Sequence, residues 1–262
     1  MRIGVAGCGA MGRPMAEAML AGGANLVAHD VRPATDFGEF AAHLVPVESL
    51  REVATLFSIV RDIPQTEALL FGDQAMASAP NLTTLVISST VAPSYIHDLR
   101  RRLPTRVALI DAPMSGAPVA ARERRLAFML GGDTAHITPL MPLFDAMGTN
   151  IHHLGPLGAG MVMKVLNNMI AASSVATTRL ALDWAAEAGI SGERFREVAE
   201  TSSGQTWFSR HFAAIDWAEE AFDPANTMGI LVKDVTSALD TAPAGATTAL
   251  PRAIINAIRT LK

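Results

Sequence analysis

Cysteine, aromatic residues and charge are all scarce in this chain of 262 residues. The single cysteine, Cys8, excludes an internal disulfide and is typical of proteins from a reducing compartment. Aromatic residues make up 5% of the chain and charged residues 18%, with a net charge of −4. This composition excludes the basic surface of a nucleic-acid or membrane-binding protein. We therefore expect a cytoplasmic protein with a small-molecule partner, no nucleic-acid or membrane partner and no metal site.

The chain also lacks the apolar runs that would direct it to a membrane. Residues 3–6 form a strand-like start, without the charged region and apolar core of a signal peptide. The most apolar segment, residues 165–182, carries asparagines, hydroxyl residues and Arg179, which predicts a buried or interface helix. Half of the residues are hydrophobic, so a chain of this length is able to bury a large core in one or two domains.

A glycine-rich segment at residues 7–12 reads G-C-G-A-M-G and lies between a predicted strand and a predicted helix. This G-x-G-x-x-G context predicts a dinucleotide site in which the pyrophosphate approaches the glycine backbone and the helix N-terminus. Asp30 ends the next predicted strand, at the position of a carboxylate that binds the adenosine ribose. The alternative is a purely structural glycine turn. The residues expected to contact the dinucleotide here are Gly7, Gly9, Ala10, Met11, Gly12, Asp30 and Arg32.

Strand and helix patterns alternate up to about residue 154, which predicts an α/β fold with a mainly parallel, doubly wound sheet of the Rossmann type. The loops at Gly7, Asp62, Thr90 and Ser115 follow predicted strands and are therefore candidates to face one crevice. After Gly189 the pattern is wholly helical. We predict a dinucleotide-binding domain at 1–155 and an all-α domain at 156–262, which includes a long connecting helix at about 158–188.

The start of the long helix carries two polar residues on one face. Lys164 and Asn168 are four residues apart, and Gly160 lies one turn earlier without a side chain that would block a ligand. A lysine beside an amide is suited to hold an oxygen and move a proton. The alternative is a lysine whose ammonium group merely reaches solvent from a packed helix.

Four segments occur in the order found in the β-hydroxyacid dehydrogenase family, the group of 3-hydroxyisobutyrate dehydrogenase and tartronate semialdehyde reductase. They are G-C-G-A-M-G-R-P-M-A at 7–16, D-A-P-M-S-G-A at 111–117, G-A-G-M-V-M-K-V-L-N-N at 158–168 and K-D at 233–234. Residues 63–64 and 89–91 also resemble loops of that family. The resemblance covers residues 3 to about 240, and four ordered motifs are far more specific than one.

The resemblance implies an NAD(P)-dependent dehydrogenase acting on a short-chain 3-hydroxy acid or its semialdehyde. Lys164 would be the catalytic proton relay, and Asn168 would orient the same oxygen and contact the substrate. A buried lysine beside the cofactor would have the lowered pKa that a relay requires. The substrate carboxylate would be held at Ser115, Gly116 and Ala117. The further residues implied at the cofactor are Ile63, Pro64, Thr90 and Lys233.

Two details favour NAD over NADP and an oligomer over a monomer. Asp30 would repel the 2′-phosphate of NADP, and Val31 stands where NADP-preferring relatives often have arginine, although Arg32 is close enough to bind a phosphate. The long helix is apolar around much of its circumference, which predicts a homodimer or homotetramer with this helix at the interface.

Some features depart from the family, and other functions remain open. Ala117 replaces a family glycine, and residues 122–125 form an unusually basic R-E-R-R segment, which we interpret as a solvated turn. The chain also ends earlier than expected, so the last helices would be abbreviated. One alternative is an imine reductase, although such enzymes usually lack a lysine at position 164. Another is a non-catalytic dinucleotide-binding module.

Overall fold

The computed structural model describes residues 2–262 and divides into two compact units, one ending at Lys164 and the next beginning at Val165. Helix α8, Ala159–Glu187, runs without interruption across that boundary. Over the described part of the chain, no helix is both long enough and apolar enough to cross a membrane.

The first unit is built on a five-stranded parallel sheet with strand order β2-β1-β3-β4-β5. Alternate strand residues fall into two separate buried clusters, with Phe57 and Val86 in one and Leu56 and Leu85 in the other. Both faces of the sheet are therefore covered, as predicted for a doubly wound fold. The strands are β1 (Arg2–Ala6), β2 (Asn25–His29), β3 (Thr55–Ser58), β4 (Thr84–Ile87) and β5 (Ala108–Asp111). The helices between them are α1 (Gly12–Ala21), α2 (Val47–Leu50), α3 (Ile63–Leu70) and α4 (Pro93–Arg102).

The remaining strands of this unit form a second, three-stranded sheet, a division that the sequence pattern did not predict. Strand β7 pairs in parallel with β8 but antiparallel with the two-residue strand β6, which is too short to give a pattern in the sequence. An isolated antiparallel bridge between Asp111 and Gly131 connects the two sheets. The elements are β6 (Met114–Ser115), α5 (Ala117–Arg122), β7 (Leu126–Leu130), α6 (Thr134–Ile137), α7 (Met141–Met147) and β8 (Gly148–His153).

The second unit is all-helical, as predicted, with its own buried core. It contains most of α8 together with α9 (Gly192–Glu200), α10 (Trp207–His211), α11 (Thr227–Ala238) and α12 (Ala249–Arg259). The wholly helical pattern predicted after Gly189 is wrong beyond Ala214, where a short 3-10 turn ends and residues 215–226 are not helical. In its place the guanidinium of Arg179 donates to the carbonyl oxygens of Ala218 (2.9 Å) and Glu220 (3.1 Å). These bonds satisfy backbone groups that a helix would otherwise have paired.

Candidate functional site

The three glycines of the segment from Gly7 to Gly12, here called the glycine loop, have three different structural roles. Gly7 has a φ of +88°, and a Cβ there would lie 2.7 Å from the carbonyl oxygen of Ile59. A Cβ on Gly12 would overlap the carbonyl oxygen of Gly7, whereas one on Gly9 would meet no described atom within 4 Å. The first glycine thus permits the turn, the third permits close packing, and the second leaves the backbone open to a ligand. These are the roles expected in a dinucleotide-binding loop, so the loop fits the predicted cofactor.

The open side of the glycine loop faces a cleft that is suited to an anion. Helix α1 begins at the loop and has no acidic residue in its first turn, so its unpaired N–H groups favour negative charge. The cleft has a volume of about 290 Å³ and includes Arg122 from the basic segment. All four residues of that segment are exposed, which agrees with a solvated turn, and Arg125 pairs with Glu123 within it. The lining residues are Gly9, Ala10, Arg13, Pro14, Glu17 and Arg122.

Asp30 lies directly beside the glycine loop. Its Oδ2 accepts a hydrogen bond from the backbone N–H of Cys8 (2.7 Å), and its Oδ1 accepts one from Nε of Arg32 (3.0 Å). Burial by itself would raise the pKa of Asp30, but the hydrogen bonds from Arg32 and Cys8 outweigh it, and the pKa lies below its ordinary value. Asp30 is therefore a fixed carboxylate, and Arg32 is tied to it.

The buried Cys8 is not a reactive group. Burial, and then the charge of Asp30, raises the pKa of its thiol to about 12. The thiol consequently stays protonated at neutral pH and has a packing role in the glycine loop.

Two further predicted cofactor contacts, Ile63 and Pro64, lie in the first turn of α3 rather than in the loop predicted for them. The helix starts early because the carboxylate of Asp62 accepts from the N–H of Gln65 (3.0 Å) and caps it. Four of the predicted segments follow strands of the parallel sheet: Gly7 comes after β1, Ile63 after β3 and Thr90 after β4. Ser115 comes after β5, within the short strand β6. Since those four strands are parallel, the segments after them begin at the same edge of the sheet.

The predicted substrate loop, Ser115 to Ala117, turns sharply between β6 and α5. Gly116 has a φ of +137°, and a Cβ there would lie 2.6 Å from the Cβ of Ala120. Ala117 has a φ of +57°, a left-handed conformation that glycine adopts more easily. The replacement of the family glycine by Ala117 therefore leaves the turn in place, at a cost of roughly 1–2 kcal/mol.

Lys164 lies in the second turn of α8 and is only 7% exposed. The expectation that Gly160 leaves room for a ligand is wrong. A Cβ on Gly160 would overlap the carbonyl oxygen of Met129 and would lie 3.0 Å from Oδ2 of Asp111. Gly160 is thus needed for close packing of the helix.

In the second unit, the predicted residues Asn168 and Lys233 are brought together by a residue that sequence reasoning missed as a site residue. Nδ2 of Asn168 donates to Oδ2 of Asp234 (2.6 Å), and Nζ of Lys233 lies 2.9 Å from its Oδ1. Asp234 is 2% exposed, so this is not a surface charge pair. The signal in the sequence was an acidic residue within the apolar pattern of α11.

Comparison with known proteins identifies both the class of this protein and its family. Residues 2–155 match the NAD binding domain of 6-phosphogluconate dehydrogenase, and residues 158–259 match the NAD-binding domain of NADP-dependent 3-hydroxyisobutyrate dehydrogenase. Together they define an NAD(P)-binding oxidoreductase. The chain belongs to the β-hydroxyacid dehydrogenase family, as its motifs indicated.

Individual relatives agree with that assignment. The chain is 33% identical to an NAD-dependent L-serine dehydrogenase of Pseudomonas aeruginosa, over 79% of this chain and 71% of the relative. It is 32% identical to an L-threonate dehydrogenase of Cupriavidus necator, over 92% and 83%. The crystal structure of a 3-hydroxyisobutyrate dehydrogenase from Salmonella typhimurium shares the fold, with a TM-score of 0.83, 24% identity and coverage of 98% and 92%. The prediction of an NAD(P)-dependent dehydrogenase is confirmed.

We predict that Gly9→Ala weakens NADH binding without damaging the fold. A Cβ at residue 9 occupies the open side of the glycine loop, where the pyrophosphate would approach, and displaces no described protein atom. We expect the dissociation constant for NADH, measured by fluorescence titration, to rise by about tenfold or more, since tenfold corresponds to only about 1.4 kcal/mol.

The matched control is Gly204→Ala, because a Cβ there also meets no described atom within 4 Å. Both variants should keep the wild-type melting temperature, and only Gly9→Ala should lose affinity. Wild-type NADH affinity in Gly9→Ala would contradict the placement of the pyrophosphate on this loop.

Proposed function

We propose that this chain oxidises the hydroxyl carbon of a short 3-hydroxy acid, or reduces the corresponding semialdehyde, with NAD as cofactor and Lys164 as proton relay. The observation that carries the proposal is the burial of Lys164, which is 7% exposed, in the second turn of α8. Lysine is rarely buried to this extent. Its position in the G-x-G-x-x-x-K-x-x-N-N motif supports the same role.

The division of labour follows from the chemistry of the residues. When bound, the nicotinamide supplies hydride transfer, so the protein has to bind, orient and relay one proton. Nζ of Lys164 gives that proton to the substrate oxygen in reduction, and takes it in oxidation. Asn168 orients the same oxygen, being four residues further along the continuous helix α8. The hydroxyl of Ser115 and the N–H of Gly116 hold the carboxylate with neutral donors.

Asn168 is itself fixed by hydrogen bonds within its own unit. One amide hydrogen is directed at Asp234, and Oδ1 accepts from Nδ2 of Asn167 (3.2 Å). The second amide hydrogen is left to donate to the substrate oxygen. Asp234 thus supports the role of Asn168, because it orients the side-chain amide so that its NH2 group faces the substrate oxygen.

The separation between Ser115 and Lys164 restricts the length of the substrate. A carboxylate held at Ser115 and a hydroxyl held at Lys164 favour acids roughly three to five carbon atoms long, because longer chains would misplace the reacting carbon. Both relatives described above are named for short carboxylates with a hydroxyl on the third carbon. No observation favours the imine reductase or the non-catalytic alternative.

The domain limits, assembly and location are parts of the same proposal. We take residues 1–155 as the dinucleotide-binding domain and 156–262 as the helical domain, which is supported by the family matches at 2–155 and 158–259. Lys233, in the helical domain, would close the cofactor site. A cytoplasmic location rests on the single cysteine.

A homodimer or homotetramer is supported by exposed apolar side chains on α8. Ile170 is 68% exposed, Leu180 48% and Trp184 69%. Ile170 and Trp184 are fourteen residues apart, close to four helical turns, and so lie on one stripe. Burial of such a stripe against a second copy of the chain would remove a large apolar surface from water.

The first prediction from this proposal concerns Lys164→Ala. Removal of the relay should lower kcat by about 10²–10⁴-fold, the usual contribution of general acid–base catalysis. NADH affinity should stay unchanged, because it depends on the glycine loop and Asp30. Lys262→Ala is the control and should keep wild-type kcat. Turnover within a few-fold of wild type, or collapse of NADH binding in Lys164→Ala, would show that Lys164 is structural.

The second prediction concerns cofactor choice. The carboxylate of Asp30 should favour NAD over NADP by about tenfold or more in kcat/KM, since like charges brought together cost on the order of several kcal/mol. Because the pKa of Asp30 lies below its ordinary value, the preference should persist across the neutral pH range.

Asp30→Ala should reduce this preference, whereas Asp36→Ala, which removes an exposed carboxylate nearby, should not. The measurement is kcat/KM for each cofactor with each variant. Equal or better efficiency of the wild type with NADP would overturn the assignment.

The third prediction concerns assembly. The wild type should be a dimer or tetramer in multi-angle light scattering at micromolar concentration, and Trp184→Arg should shift it towards the monomer. Leu250→Arg, at an apolar residue of α12 with a similar exposure of 67%, is the control and should keep the oligomer. A monomeric wild type would refute the proposed interface.

A further inference from the structure

A buried carboxylate that the proposed chemistry does not use holds the start of the helix that carries Lys164. Asp111, the last residue of β5, is 0% exposed. Its Oδ1 accepts from the backbone N–H of Gly158 and its Oδ2 from that of Met161, each at 2.7 Å. Helix α8 begins at Ala159, so Gly158 directly precedes the helix and Met161 lies in its first turn, where N–H groups have no partner inside the helix.

Two glycines make room for this carboxylate. A Cβ on Gly131 would lie 2.8 Å from Oδ2 of Asp111, and a Cβ on Gly160 would lie 3.0 Å from the same atom. The N–H of Asp111 also donates to the carbonyl oxygen of Gly131 (3.0 Å), and its carbonyl oxygen accepts from the N–H of Gly131 (2.8 Å). Both the backbone and the side chain of Asp111 are therefore fixed.

The position of Asp111 in the chain connects it to both halves of the proposed chemistry. Ser115 lies four residues after Asp111, and Lys164 lies three residues, about one helical turn, after Met161. The carboxylate of Asp111 thus lies just before the substrate loop in the chain and holds the helix about one turn before Lys164. A shift of the first turn of α8 along β5 would change the distance between Ser115 and Lys164.

We propose that Asp111 is a positioning residue that sets the distance between the carboxylate grip at Ser115 and the proton relay at Lys164, by fixing the first turn of α8 to the end of β5. The proposal rests on the proposed function for the roles of Ser115 and Lys164. Two charge-assisted hydrogen bonds in a buried, glycine-lined site make this connection stiff. Catalysis is sensitive to such a connection, since a displacement of about 1 Å can cost about 10²-fold in rate.

The test is Asp111→Asn, which keeps the size of the side chain but replaces one acceptor oxygen by a donor. One of the N–H groups of Gly158 and Met161 then loses its partner. We expect kcat to fall about 10- to 100-fold, with KM changed by no more than about threefold and NADH affinity unchanged. Amide hydrogen exchange should become faster over residues 158–164.

The control is Asp133→Asn, which makes the same substitution at the cap of α6, where the carboxylate accepts from the N–H of Ala135 (2.8 Å). It should lower the melting temperature slightly and leave kcat unchanged. If Asp111→Asn does not fold, Asp111→Ser, which keeps one hydroxyl acceptor in a smaller side chain, is measured in the same way.

Unchanged kcat in a folded Asp111 variant, or an equal loss of kcat in Asp133→Asn, would overturn the proposal. Unchanged exchange at 158–164 would also overturn it, whether or not the protein is active. A wild type that oxidises no hydroxy acid would instead refute the proposed function, while the exchange measurement would still decide whether Asp111 fixes the helix.

Discussion

The hydrogen bonds from Gly158 and Met161 to Asp111 connect the parallel sheet to the long helix α8. A strand of the parallel sheet ends in a carboxylate, and the longest helix of the chain begins on that carboxylate. Desolvation raises the pKa of the buried Asp111 above its ordinary value, and the N–H donors of Gly158 and Met161 are the main groups that oppose this rise. Lys164, the proposed proton relay, lies three residues after Met161, and Ser115, the proposed carboxylate contact, lies four residues after Asp111.

The cofactor end of the molecule depends on backbone rather than on side chains. Gly7 permits the turn, Gly9 leaves the backbone open to a ligand and Gly12 permits close packing. The N-terminus of α1 favours a negatively charged group such as a pyrophosphate. Asp30 adds a negative charge beside the loop, and its contacts with Cys8 and Arg32 hold it in place before any ligand arrives. Preorganisation of this kind reduces the free energy lost when a cofactor is bound.

Sequence patterns located the elements that local physics determines. Strands β4 and β7 coincide with short apolar runs bounded by polar or glycine residues, and the three glycines of the glycine loop were recognised by their spacing between a predicted strand and a predicted helix. Patterns failed where a distant side chain decides the local structure. The segment after Ala214 has helical periodicity, but Arg179 from another helix satisfies its carbonyl groups. The roles of Asp234 and Asp111 depend on partners 66 and up to 50 residues away, which no local pattern reveals.

The proposed reaction of this chain is the oxidation of short 3-hydroxy acids with NAD. The most direct measurement is the formation of NADH, followed by absorbance, when the wild type is given NAD and a panel of 3-hydroxy acids, 2-hydroxy acids of equal length and longer 3-hydroxy acids. We expect turnover with the short 3-hydroxy acids, and kcat/KM at least about tenfold lower for the other two groups, because their carboxylate and hydroxyl then fail to reach Ser115 and Lys164 together. NADH binding without turnover of any member of the panel, or equal turnover of 2- and 3-hydroxy acids, would contradict it.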